Sequence, residues 1–354
     1  MDFRFTDEQL MMADTVRGLL AERCSPADLR RLMGSGEPRD TGRWAALVEL
    51  GLQGVLVPEN AGGLGLSEAD FVLVAEACGH AALPEPLVEN AGVAMPLLAA
   101  LSRDSRSAAI LERALAGEIT IAVAHPANPF VADAGTAGAI LFVHDDAVHL
   151  CEAGAVSLVP QPSIDPFRRL ATIGDRPSPA TEIATVAEAG PALAEAFDRG
   201  ALFTAAQLVG IAQRAVELAV AYANDRNQFG KPIGSYQAVK HLLATAQVKI
   251  EFARPVLYAA AAEAQHGDAH SRARISHARL AAAEAADLAC RTAVQVHGAM
   301  GYSWEVDVHF FLKRALALAS WWGSRRLHLD RVARRAFELP LGADRTFARE
   351  HDHA

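Results

Sequence analysis

Cysteine is scarce in this 354-residue chain: Cys24, Cys78, Cys151 and Cys290 stand far apart and form no Cys-x-x-Cys pair. That spacing supports neither a metal knuckle nor a redox dithiol, and a reducing cytoplasm is the expected setting. Long apolar runs are missing too. No stretch reaches the roughly 18 uncharged residues of a membrane span, and Met1 to Glu8 lacks the basic and then apolar layout of a secretion signal. Basic charge is in deficit, with 33 Lys plus Arg against 42 Asp plus Glu. A net charge of −9 excludes nucleic acid as a general partner, so any anionic ligand needs a dedicated site. His241, His297 and His309 share no metal-ligand spacing. The glycine-rich turn Pro58 to Gly65 lacks the Lys and Ser/Thr of a phosphate loop and reads as a structural turn leading to a helix cap at Ser67.

What is present is a helical chain with one β-rich interruption. At 51% hydrophobic, it is long enough for two or three domains with a substantial core. Residues 1–117 read as a helical domain, since Leu10, Ala13, Val16, Leu19 and Leu20 recur at helical spacing and similar stripes follow. Residues 118–190 read as a small β domain: short apolar runs at 119–123, 139–143, 147–150 and 156–159 are parted by Gly, Pro and Asp. The segment is short for a complete barrel. Residues 191–354 return to helix, with stretches near 193–224, 234–266, 270–298 and 305–337 that favour an antiparallel four-helix bundle.

Two motifs punctuate that bundle. Arg226-Asn227-Gln228-Phe229-Gly230-Lys231-Pro232 places a forked cation at a helix end beside a glycine turn, an arrangement suited to pyrophosphate. Gln295-Val296-His297-Gly298-Ala299-Met300-Gly301 ends another helix with glycines that free the backbone for close approach. A helix C-terminus also favours Arg through its dipole, so Arg226 alone does not decide. The whole stretch from Tyr222 to His241, together with Gln295 to Gly301, resembles the acyl-CoA dehydrogenase family. The likeness is strongest over residues 205–315 and extends through 1–120. It implies a mainly α fold with a reduced middle β domain, FAD as cofactor, an acyl-CoA substrate and an electron-transfer flavoprotein as acceptor. By the same resemblance Arg226, Gln228, Phe229, Gln237, Gln295, His297, Gly298 and Gly301 bind the flavin, chiefly its ADP portion. Ala299 departs from the family's glycine pair and requires a negative backbone angle.

The reacting end of the family's site looks different. α,β-Dehydrogenation needs a carboxylate in an apolar cleft. Aligning from Leu312-Lys313-Arg314-Ala315 puts Trp322 at one of the family's two glutamate positions, and counting back from Gly210-Ile211-Ala212-Gln213 puts Gly200 at the other. Asp198 is the remaining candidate base, reachable by a slip of one or two residues, and otherwise a solvated acid near a helix start. The stretch His125-Pro126-Ala127-Asn128-Pro129-Phe130 lacks the family's Glu-Pro-x-Ala-Gly-Ser-Asp strand. Retention of the ADP grip with three losses at the ring end resembles the base-lacking subunit of bacterial α2β2 enzymes of the steroid side-chain type, completed by a homologous subunit that carries the glutamate. Two alternatives stay open: a self-sufficient homotetramer with an unrecognised base, and a structural subunit that binds no flavin. Trp321 and Trp322 are expected to serve packing, and Lys313, Arg314, Arg325, Arg326, Arg331, Arg334 and Arg335 a solvated face or interface ion pairs.

Overall fold

Side-chain caps set the helix starts in the first third of the chain. In this computed structural model, which describes residues 4–174 and 177–338, helix α1 (Asp7–Arg23) opens on a Thr6/Gln9 capping box and α2 (Pro26–Ser35) on Ser25/Asp28 with Pro26 in its first turn. Asp40 caps α3 (Thr41–Glu49). The N–H and hydroxyl of Ser67 both donate to Asp70 at the start of α4 (Glu68–His80), where the sequence placed a cap. The turn at 58–65 is structural: the N–H groups of Gly63, Leu64 and Gly65 donate to the carbonyls of Pro58, Gly54 and Val57. Helix α5 (Leu87–Glu89) runs through a π-helical segment, Asn90–Ala94, into α6 (Met95–Leu101), and α7 (Ser105–Leu115) completes the N-terminal domain.

Seven strands follow: β1 (Ile121–Ala124), β2 (Val131–Ala132), β3 (Ala139–His144), β4 (Ala147–Glu152), β5 (Leu158–Gln161), β6 (Leu170–Ile173) and β7 (Glu182–Thr185). They form two sheets, β1-β3-β4-β7 with β1 parallel to β3, and antiparallel β2-β6-β5. Period-two alternation divides the first sheet's side chains between two cores. Ile121, Ala139, Leu141, Val148 and Leu150 join the core shared with the helices, whereas Ala122, Ile140, Phe142 and Cys151 pack with Val131 and Ala171 in a separate small core. Because β3 is buried on both faces it reads as a continuous apolar run. The two-residue β2 and the half-buried β6 and β7 carry no such run, which is why the sequence did not reveal them.

Helix α8 (Val186–Asp225) starts five residues before Pro191, on a Thr185/Glu188 capping box, and the proline sits inside its second turn. With α9 (Gln237–Glu263), α10 (Ala269–His297), α11 (Val308–Leu318) and α12 (Arg325–Glu338) it builds the C-terminal bundle. The last expected helix is thus two, broken at 319–324. Arg314 consequently belongs to α11 and is buried, paired with Asp165 and donating to the Leu83 carbonyl, so it is no part of a solvated face. Close approach ties the two helical domains: a Cβ at Gly210 on α8 would lie 2.0 Å from the Glu76 carbonyl on α4. The expected fold class, mainly α with a small β domain, holds. No described helix is long and apolar enough to cross a membrane, and among the described residues no group of three or more His, Cys, Asp or Glu side chains could hold a metal ion.

Candidate functional site

Both sequence motifs emerge at one end of the bundle. The α8 terminus leads into a two-residue hairpin, β8 (Asn227–Gln228) and β9 (Lys231–Pro232), whose turn residues Phe229 and Gly230 have φ of +52° and +81°. Positive φ at both positions is what a type I′ turn requires, and it costs a bulky residue such as phenylalanine about 1 kcal/mol or more. The Tyr236 hydroxyl steadies the turn by donating to the Gln228 carbonyl at 3.1 Å. Phe229 itself is 94% exposed. The Arg226 side chain, also exposed, has no hydrogen-bond or ion-pair partner among the described residues, and its carbonyl accepts from the Ile233 N–H at 2.8 Å.

The second motif lies beside the first because the Tyr222 ring of α8 stacks on His297 of α10, with centroids 4.3 Å apart. His297 is buried and donates from Nδ1 to the Ala293 carbonyl at 2.7 Å; burial pushes its pKa down. Its ring therefore ties the two helix ends together rather than facing outward. Gly298 has φ +61° and ψ −138°, a region essentially restricted to glycine, and nothing lies within 4 Å of where a Cβ would stand. Its neighbour Ala299 stays out of the left-handed region and is exposed. Gly301 is buried, with space for a Cβ closed by the Val294 carbonyl at 2.7 Å. Of the eight residues named from the sequence, Arg226, Gln228, Phe229, Gln237, Gln295 and Gly298 present exposed positions, while His297 and Gly301 hold the backbone beneath them. The outward set offers a guanidinium, amides and open backbone, which fits a pyrophosphate-bearing cofactor.

About twenty residues back along α8, the three departures meet. A Cβ on Gly200 would lie 2.2 Å from the indole of Trp322, so the tryptophan occupies the space beside the helix where a side chain would project. Trp322 is 1% exposed and left-handed at φ +55°, with Gly323 following at +103°. Its N–H donates to Asn128 Oδ1 at 2.7 Å, and its carbonyl accepts from His328 Nε2 at 3.0 Å. His125 packs against the same indole, with centroids 5.2 Å apart. The altered 125–130 stretch is thus the third wall of one filled cleft.

A carboxylate stands behind the indoles, and sequence reasoning missed it. Glu89, the only acid between Pro86 and Leu101, accepts from Trp321 Nε1 at 2.8 Å and from Trp322 Nε1 at 3.0 Å. Burial pushes its pKa up, and the Arg168 guanidinium opposes that shift. Arg168 lies over the Trp321 ring at 4.1 Å. From the other side Arg279, buried with no carboxylate partner among the described residues, donates to the Leu318 and Trp321 carbonyls at 2.5 and 3.2 Å and fixes the 319–324 break. Desolvation alone lowers its pKa to about 10.

Asp198 is neither solvated nor near a helix start. It lies in the second third of α8's first half, buried, with Oδ2 accepting from Arg272 Nε at 3.1 Å and Oδ1 from Arg331 Nη1 at 2.7 Å. Both oxygens serve ion pairs that tie α8 to α10 and α12. Each oxygen is thus engaged by a guanidinium.

The N-terminal domain model of the acyl-CoA dehydrogenases matches residues 6–118 and the C-terminal domain model matches 190–337, so the two flank the β-rich segment. Acyl-CoA dehydrogenase IpdE2 of Mycobacterium tuberculosis is 34% identical, over 94% of this chain and 99% of its own length. The ChsE4-ChsE5 complex from the same organism superposes with a TM-score of 0.80 at 24% identity, covering 96% of this chain and all of the matched one. PigA, solved as an FAD complex, superposes with a TM-score of 0.79 at 21% identity, covering 95% and 99%. Fold, domain matches and identity agree that the chain belongs to the acyl-CoA dehydrogenases, a family whose cofactor is FAD.

Proposed function

We propose that this chain is the base-lacking subunit of a hetero-oligomeric acyl-CoA dehydrogenase, completing the flavin site of a homologous subunit that supplies the catalytic glutamate. The observation that carries this reading is the filled cleft. Gly200 and Trp322, aligned to the family's two glutamate positions, press against each other, and Asn128 from the altered β segment locks the tryptophan. A chain whose ring end is closed while Arg226, Gln228 and Gly298 remain exposed is suited to hold the ADP portion of a shared flavin. When bound, FAD supplies the acceptor for the β-hydride of the thioester. Arg226 gives charge-assisted hydrogen bonds to the pyrophosphate, Gln228, Gln237 and Gln295 offer amide contacts, Gly298 admits the backbone, and His297 and Gly301 act as positioning residues. Phe229 covers the junction with the partner subunit.

The ChsE4-ChsE5 structure is a complex of two differently named proteins, one chain of which shares this fold, and that supports unlike pairing here. The substrate class is an acyl-CoA thioester, with steroid side-chain thioesters suggested by resemblance and an electron-transfer flavoprotein as acceptor. The test is flavin content and acyl-CoA dehydrogenation by this chain purified alone and with a dehydrogenase-like partner. Flavin and turnover should come only with the complex, at one FAD per pair of unlike chains, and Arg226→Ala should reduce flavin occupancy. A yellow, active preparation of this chain alone would overturn the reading.

A further inference from the structure

A cavity of about 820 Å³ lies away from both the flavin loops and the Trp322 cleft, among α1, α4, α8 and α9. That volume falls within the roughly 300–1,000 Å³ of small-molecule sites. Its floor is apolar: Leu20 and Leu29 from the first two helices, Ala77 from α4 and Ala81 just after it, and Phe311 from α11. Its polar wall is a connected network. Glu76, buried, accepts from Arg254 Nε at 3.3 Å and from the Tyr258 hydroxyl at 2.8 Å. Glu217 accepts from Gln213 at 3.1 Å, from His80 at 2.8 Å and from Arg214 at 3.4 Å. Burial raises the pKa of Glu217, but the hydrogen bond and charge of His80 outweigh it and hold the carboxyl at about 2.

The inner carboxylates are satisfied, and Glu251, exposed at the rim, is engaged through Oε1 by Gln247 and Arg254. Two arginines of the wall keep donors that no group among the described residues uses. Arg214 gives one N–H to Glu217, and Arg17 gives one to the solvent-exposed Asp14; a guanidinium carries five. The unused donors of two arginines thus border an apolar floor.

We propose that this cavity binds an amphipathic monoanion, an apolar body that lies on the Leu20–Leu29–Phe311 floor and ends in a carboxylate held by Arg17 and Arg214. The site is independent of the flavin loops and of the subunit assignment.

The test uses the fluorescent acid 1-pyrenebutyrate and its neutral counterpart 1-pyrenebutanol, titrated into the full chain and into its complex. The acid should bind saturably at one site per chain, at least about tenfold tighter than the alcohol, since hydrogen bonds to charged groups exceed neutral ones by that order. Arg17→Gln and Arg214→Gln, both at partly exposed positions, should each weaken the acid about tenfold and leave the alcohol unchanged. Arg226→Ala should leave pyrenebutyrate binding intact, which separates failure of this site from failure of the flavin assignment. Equal binding of acid and alcohol, no saturable binding of the acid, or unaltered affinity in both arginine variants would overturn the proposal.

Discussion

Phe229 and Trp322 share a backbone device and use it in opposite ways. Each is a bulky residue in the left-handed region, and each is followed by a positive-φ glycine, Gly230 or Gly323. At 322 the interior holds the conformation through the Asn128 and His328 hydrogen bonds to the backbone, Glu89 on the indole nitrogen and Gly200 against the ring. At 229 a short hairpin and the Tyr236 hydroxyl hold it, and the ring stands in solvent. Strain of this kind persists only where surroundings over-determine it. The comparison teaches that the buried instance closes a cleft, whereas the exposed instance leaves its ring to solvent.

The contact between Gly200 and Trp322 is the sharpest place to break the comparison. Gly200→Ala should destabilise by about 3 kcal/mol through overpacking, and Trp322→Ala by about 3–5 kcal/mol through the cavity it leaves. In the Trp322→Ala background the added cost of Gly200→Ala should fall below about 1 kcal/mol, because contacting sites are not additive. Urea denaturation of the four proteins measures this, and simple additivity would mean the ring does not fill that space.

Acid should loosen the closed region next. Burial, helped by the Arg279 charge, lowers the His328 pKa from 6.5 to about 4. As pH falls below 6.5 the unfolded chain takes up a proton that the folded chain refuses. Stability is therefore lost between about pH 6.5 and 4, by about 3 kcal/mol in all from this group. His328→Asn should flatten that part of the stability–pH curve, and an unchanged slope would place the titration elsewhere.

The exposed instance should give the smallest change in stability. Phe229→Gly should leave stability unchanged or raise it by about 0.5–1 kcal/mol, because glycine relieves the left-handed strain. The same variant should lower flavin retention in the complex. A large loss of stability in the isolated chain would show that Phe229 packs within the monomer after all.

Most of the secondary structure was legible. The Ser67 cap and the helical apolar stripes are local signals, as is the continuous apolar run of doubly buried β3. The start of α8 was misread at Pro191 because a proline early in a helix resembles a boundary, and the 319–324 break was missed because the apolar stripe runs through it. Within the site, the exposed loops were visible as motifs. The inward turn of His297 was not, because it depends on the Tyr222 stack from another helix. Glu89 was unreadable for the same reason: its partners lie 232 and 233 residues along the chain.

By itself, the sequence determined the caps, the periodicities, the family, the glycine-bearing loops at 226–232 and 295–301, and the absence of glutamate at 200 and 322. These depend on residue type and near neighbours, where backbone angles and short-range hydrogen bonds are decided. Only the tertiary structure decided that Gly200, Trp322 and Asn128 form one closed cleft, that Asp198 is bound between two arginines, and that a cavity with spare guanidinium donors opens among α1, α4, α8 and α9. Those facts rest on contacts between residues tens to hundreds of positions apart, which packing of the folded chain brings together and no local pattern encodes.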